Sequence, residues 1–163
     1  MPKINSLPDV NVRSQAYYVA RTHVRCRYCG MSTRLLALAM PHSHETLDDD
    51  AETEAWQSAN ANALLFYVEG LPVDIQRRLN ELSQSFRLGQ SAATLNSYWA
   101  NHCEHCGALL DDHDLYCEPD GAFMPSSEAA ATTIELVEMQ EPFEAVVAGY
   151  ALEPEFFRFM RRG

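Results

Sequence analysis

The sequence predicts an α+β domain, a small antiparallel sheet carrying two or three helices, and three observations predict it. Aromatic and β-branched runs of strand length recur at 15–26, 63–69, 134–139 and 143–150. Between them, residues 72–86 place Ile75, Leu79, Leu82 and Phe86 at helical spacing. Two identical Cys-x-x-Cys-Gly units, at 26–30 and 103–107, each follow a strand-like segment. With 163 residues and 47% apolar content, the chain can bury one sizeable core but not two full domains.

Taken in order, residues 1–14 are polar with two prolines and read as a loose arm, leaving 15–163 as the folded unit. The run 15–26 is a strand, and 32–40, with Leu-Leu-Ala-Leu-Ala-Met halted by Pro41, is a second. The first cysteine unit joins them, so a hairpin with cysteines at its tip is the economical arrangement. Residues 41–94 form an insertion. It begins with an exposed loop over 42–62, acidic at six of the ten positions from Glu45 to Glu54, with a helical turn near Trp56. A strand at 63–69 is closed by Gly70. The helix after it has Pro72 in its first turn and Asp74 complementing its dipole. A loop at 89–93 leads to a strand at 95–102, which enters the second cysteine unit. Glu118-Pro119-Asp120-Gly121 is a turn. Ser126 or Ser127 caps a short helix through Thr132. Strands follow at 134–139 and 143–150, and 153–162 reads as a final helix with acids early and arginines late.

Charge narrows the function. Twelve Lys+Arg against 23 Asp+Glu give a net charge of −11. That balance opposes general nucleic-acid binding, which needs a basic footprint to displace counterions, and adsorption to anionic lipid. The longest apolar runs, 35–40 and 145–152, span six and eight residues against the roughly 20 a transmembrane helix requires. The first residues lack a signal peptide's apolar core, so a cytoplasmic location is expected.

The strongest motif is the repeated cysteine unit. Two residues between cysteines let both sulfurs reach one ion from a tight turn, and the following glycine permits positive φ. Two such turns supply four sulfurs at about 2.3 Å from a tetrahedral Zn²⁺. Each unit resembles the zinc knuckle of zinc-ribbon and rubredoxin-like proteins, in which two hairpins clasp one metal. That resemblance covers 15–40 and 95–118, and the remainder resembles a small bacterial-type protein with no activity attached. Transferred residue by residue, it implies Cys26, Cys29, Cys103 and Cys106 as ligands of one structural zinc, with iron the alternative in an all-sulfur site. The 73 residues between Cys29 and Cys103 depart from a minimal ribbon. Two separate redox pairs, or unligated thiols, remain open. So does a local site of Cys103, Cys106, His113 and Cys117, against which stands Cys117 as a buried apolar residue.

Other candidates carry less. Arg25, Arg27 and Arg34 flank the first unit and either screen thiolate charge or face solvent. His102 and His105 flank the second as outer donors or exposed side chains. His42-Ser43-His44-Glu45 lacks the spacing of a His-Glu-x-x-His helix and reads as a polar loop, and Asp48–Asp50 lacks the order of a calcium loop. Nucleophile-elbow, Walker and dinucleotide motifs are missing from the sequence.

The expected function is therefore a zinc-stabilised, non-catalytic module that binds another protein, basic by charge complementarity, as an adaptor, inhibitor or immunity-like protein. Three rivals stay open: a metal-dependent hydrolase with a second site around His42, His44, Glu45 or His113, a rubredoxin-like electron carrier, and a transcription-type zinc ribbon.

Overall fold

The computed structural model describes residues 7, 9–48, 55–91, 95–118 and 121–163. Within them the chain is mostly sheet, with few helices. The strand order is β12 (Arg161–Arg162), β10 (Glu135–Met139), β2 (Tyr17–Arg25), β3 (Ser32–Met40), β6 (Ala63–Gly70), β11 (Phe143–Leu152), β1 (Val12–Ser14), β4 (Glu45–Asp48) and β5 (Ala55–Ser58), and β8 (Ser97–His102) joins β7 (Phe86–Gln90) and β9 (Leu109–Leu110) onto β6. The pairings are antiparallel apart from β10 with β12, so the sheet is mixed rather than wholly antiparallel. This architecture is compatible with the α+β class.

The centre of the sheet is the hairpin of β2 (Tyr17–Arg25) and β3 (Ser32–Met40), in register from Tyr18 opposite Ala39 to Arg25 opposite Ser32. Strand β6 (Ala63–Gly70) pairs with β3 on one side and with β11 (Phe143–Leu152) on the other. Gly149 lies against Phe66, where an added Cβ would stand 2.2 Å from the ring. The sheet buries both faces. On one, Val19, Leu36, Leu38 and Leu65 pack under Ile75 and Leu79 of α1 (Val73–Leu82). On the other, Ala20, Leu35, Ala37 and Leu64 meet Ile134, Phe157 and Met160.

Several expectations change. The assumed arm contains β1 (Val12–Ser14), whose Val12 is fully buried between β11 and β4. Within the stretch expected as a loop, β4 (Glu45–Asp48) and β5 (Ala55–Ser58) pair as a ribbon, with Trp56 opposite Leu47 and under the Arg13 guanidinium rather than in a helical turn. Residues 49–54 lie outside the described residues, as do 119 and 120 of the expected turn. Helix α1 stops before Phe86 because the Ser83 hydroxyl accepts the Ser85 N–H, a local bond that competes with helix continuation. Phe86 stays in the same core but from β7 (Phe86–Gln90), which takes the first two positions of the loop expected at 89–93, while 92 and 93 lie outside the described residues. Ser127 does cap α2 (Glu128–Ala131), accepting from the Ala130 N–H, while β10 (Glu135–Met139) and β11 match two expected strands.

The final helix does not form. Glu153 and Phe156 take φ of 46° and 66°, left-handed values that break a right-handed helix. Only a 3-10 turn at Phe157–Phe159 results, and Arg161–Arg162 becomes β12 beside β10. Burying Phe157 and Met160 outweighs the charge pattern that suggested a helix.

Candidate metal centre

The first cysteine unit closes the β2–β3 hairpin. Cys26 N–H bonds to Met31 O at 2.9 Å, and Gly30 N–H returns to Cys26 O at 2.8 Å. The second unit connects β8 (Ser97–His102) to β9 (Leu109–Leu110) and repeats that geometry: Cys103 N–H to Ala108 O at 2.9 Å, Gly107 N–H to Cys103 O at 3.0 Å. Gly30 and Gly107 sit at φ of 77° and 76°, a region that disfavours any residue with a Cβ. In each turn the leading sulfur accepts a backbone N–H, Tyr28 to Cys26 and His105 to Cys103, both at 3.4 Å.

The two turns meet. All four sulfurs lie within 4.8 Å of one another, with Cys26 Sγ 3.7 Å from Cys106 Sγ and Cys29 Sγ 3.6 Å from Cys103 Sγ. A tetrahedron with metal–sulfur bonds of about 2.3 Å has edges of about 3.8 Å, so the donor set fits a four-coordinate thiophilic ion. Disulfide sulfurs stand about 2.05 Å apart, and these cysteines are free. Cys26 and Cys103 are buried, Cys29 and Cys106 exposed.

Crowding four thiols splits their acidities. Backbone N–H groups of Cys106 and His105 hold the Cys103 thiol down at about 6. Met31's N–H favours the Cys29 thiolate, but desolvation and the neighbouring thiols push Cys29 up to about 11. A cation among the sulfurs would reverse that upward push by favouring the thiolates.

Cross-bracing holds one turn against the other. The Glu104 carboxylate, from the second unit, accepts Arg34 N–H at 3.0 Å and Arg34 Nε–H at 2.9 Å, while its own N–H goes to Thr33 Oγ1 at 3.0 Å. His105 Nε2 lies 3.0 Å from Ser32 O, and Arg27 pairs with Asp114 at 3.0 Å. Deeper down, Asn101 Nδ2 donates to Leu36 O at 2.9 Å and its Oδ1 accepts Leu36 N–H at 2.8 Å. Sequence reading missed Asn101, Thr33 and the clamp by Glu104. The only signal for them was proximity to a cysteine unit, the first for Thr33 and the second for Asn101 and Glu104.

The remaining candidates scatter. Cys117 is exposed rather than buried, and with His113 it occupies a π-helical turn (His113–Cys117) instead of a strand. Neither joins the four sulfurs: His113 groups with Asp114 and Glu118, all exposed, and Asp114 is already engaged by Arg27. His42 is exposed and lies 3.6 Å from Glu153, whereas His44 is fully buried with Nδ1 on Pro41 O at 2.7 Å. A polar loop therefore describes His42 but not His44. His102 is buried with Nδ1 near Ser85 and Ala100 carbonyls. Arg25, Arg27 and Arg34 bond to oxygen acceptors, on Gly30, Asp114 and Glu104. Among the described residues, no helix is long and apolar enough to cross a membrane.

One buried carboxylate was also missed. Asp112 Oδ2 accepts the N–H of Tyr67, a residue held at φ 51°, and the Asp112 N–H bonds to Tyr98 OH at 3.0 Å. Burial pushes the Asp112 carboxyl up to about 7, opposed by the Tyr67 bond and aided by neighbouring Asp111.

Neither a family model, nor a curated protein, nor a solved structure matches the chain. The four-cysteine cluster defines the class of the site, a candidate metal centre.

Proposed function

We propose that the chain is a zinc-stabilised, non-catalytic protein-binding module of the cytoplasm, acting as an adaptor, inhibitor or immunity-like protein. Cys26, Cys29, Cys103 and Cys106 hold one zinc in a site with the character of a zinc ribbon. The observation that carries this reading is the mutual spacing of the four sulfurs. Four sulfur donors complete a tetrahedron and leave no position for substrate, which is how structural zinc sites differ from catalytic ones. When bound, the ion contributes folding energy by tying β2–β3 to β8–β9. The chain's own residues do the positioning: Glu104 fixes the second turn on β3, and the glycines let both turns close.

A partner is expected to be basic, because a net charge of −11 steers cations and repels nucleic acid. Elemental analysis of purified protein tests the first half, with one zinc per chain expected. Iron at that stoichiometry would favour the electron carrier, and two metals per chain the hydrolase. For the second half, crosslinking in native cytosol followed by reconstitution with the purified partner should give a complex that weakens with salt. Salt-sensitive binding to nucleic acid instead would favour the transcription-type ribbon.

A further inference from the structure

Outside the cysteine cluster, the face of the central hairpin that carries α1 changes character where the helix ends. Tyr17 and Val19 on β2, with Leu36 and Leu38 on β3, lie beneath Ile75 and Leu79. Along the same face β2 continues with Arg21, His23 and Arg25, in register with Leu36, Arg34 and Ser32. Beyond Leu82 and Ser83 this surface opens into a cavity of about 240 Å³, lined by Arg21, His23, Arg34 and Arg161 with Leu36 and Leu82. Three of the chain's 12 basic Lys+Arg residues thus surround one small space in a protein of net charge −11.

Folding alone does not account for this. His23 and Arg34 are directly opposite one another on β2 and β3, which sets the imidazole beside the guanidinium. Glu135 lines the cavity and pairs with Arg21, while Glu104, outside the lining, pairs with Arg34. Arg161 sends Nε–H to Thr132 O at 2.8 Å and stands opposite Glu135 on β10, whose carboxylate it favours through space without a direct ion pair. Balancing those pairs leaves one positive charge. A monoanion neutralises it, whereas a phosphate dianion would overshoot. The leucine floor and wall suit an apolar body of about one ring or one side chain, and the arginine fork suits a carboxylate.

We propose that this cavity binds a carboxylate carried on a compact apolar body, either a free small acid or the C-terminal residue of a polypeptide. The apolar body rests on Leu36 and Leu82, and the carboxylate meets Arg161 at the rim. The site is separate from the cysteine cluster and does not rest on the function proposed for it.

Amide NMR titration of the full chain with 3-phenylpropanoate tests the assignment. Saturable shifts are expected at Arg21, His23, Leu82 and Arg161, with 3-phenylpropanamide at least about tenfold weaker, as loss of a charge-assisted bond implies. Arg161→Gln should weaken the acid about tenfold, while Arg158→Gln, altering an arginine outside the cavity, leaves it unchanged. Leu82→Gln, at a half-exposed position, gives an independent readout if Arg161→Gln disturbs β12. Comparing acetyl-Leu-Phe as free acid with the small acid separates the two sources: tighter binding of the peptide assigns a polypeptide C-terminus, and equal or weaker binding a free acid. Equal affinity for acid and amide, shifts elsewhere, or no saturation by about 10 mM would overturn the proposal.

Discussion

Asn101 pairs with Leu36 through its side chain as a strand neighbour would through its backbone. Its amide gives one hydrogen bond to the Leu36 carbonyl and takes one from the Leu36 N–H, both inside the core. This contact holds β8, and the cysteine turn that follows it, against β3. Replacing Asn101 with Leu should orphan both Leu36 groups at about 1–3 kcal/mol each, read as a lower urea midpoint. Asn101→Asp makes a sharper test. A carboxylate facing the Leu36 carbonyl is repelled, whereas its protonated form restores a donor, so this variant should regain stability as pH falls.

The cysteine cluster predicts coupled loss of metal and fold. Cys26→Ser and Cys103→Ser should each release the ion and lower the thermal midpoint, and a chelator should do the same to the wild-type chain. Cys117→Ser should leave metal content unchanged, because Cys117 lies outside the cluster. Metal content that follows Cys117 rather than Cys26 would refute the assigned ligand set.

Glu104 provides a test of bracing apart from ligation. Glu104→Ala keeps every sulfur but frees the second turn from Arg34. Metal affinity is expected to fall about tenfold, measured by competition with a chromogenic chelator, in the range that outer contacts of metal sites contribute. Unchanged affinity would make the clamp incidental to the cluster.

Asp112 ties stability to pH. Its carboxyl, raised from 3.8 to about 7 by burial, holds its proton in the folded chain across a range where the unfolded chain has lost it. The folded state therefore binds more protons, and stability from this group declines as pH rises from about 4 to about 7. At about 1.4 kcal/mol per unit the contribution reaches at most about 4 kcal/mol. Asp112→Asn keeps an acceptor for the Tyr67 N–H and removes the titration. Its unfolding free energy should vary less over that range and exceed the wild-type value at pH 8. A variant with the wild-type slope would place the pH dependence elsewhere.

Much of the centre was legible because the signals were local. The aromatic and β-branched run of β2, the Pro41 stop after β3, and the repeated Cys-x-x-Cys-Gly each specify structure within a few residues. What was lost depended on distant partners. Val12 reads as part of a polar arm, yet it pairs with Ala145 and Thr46 and is fully buried. At 153–162 a helical charge pattern gave way to packing of Phe157 and Met160 against a core built elsewhere. Asn101 and Asp112 look like ordinary polar residues, since the backbone groups they serve, on Leu36 and Tyr67, lie far off in sequence.

The pairing of β1 with β11 also bears on synthesis. Residues 12–14 are synthesised well before β11, at 143–152, which seats between β1 and β6. Until then β6 offers a bare strand edge and β1 lacks one of its neighbours. The β2–β3 hairpin can form from adjacent residues, while closure of the sheet waits for β11. Contacts this distant are slow to find, and an uncovered edge recruits other chains. Chains arrested before residue 143 should accordingly be protease-sensitive and prone to associate, and chains that include β11 should show neither.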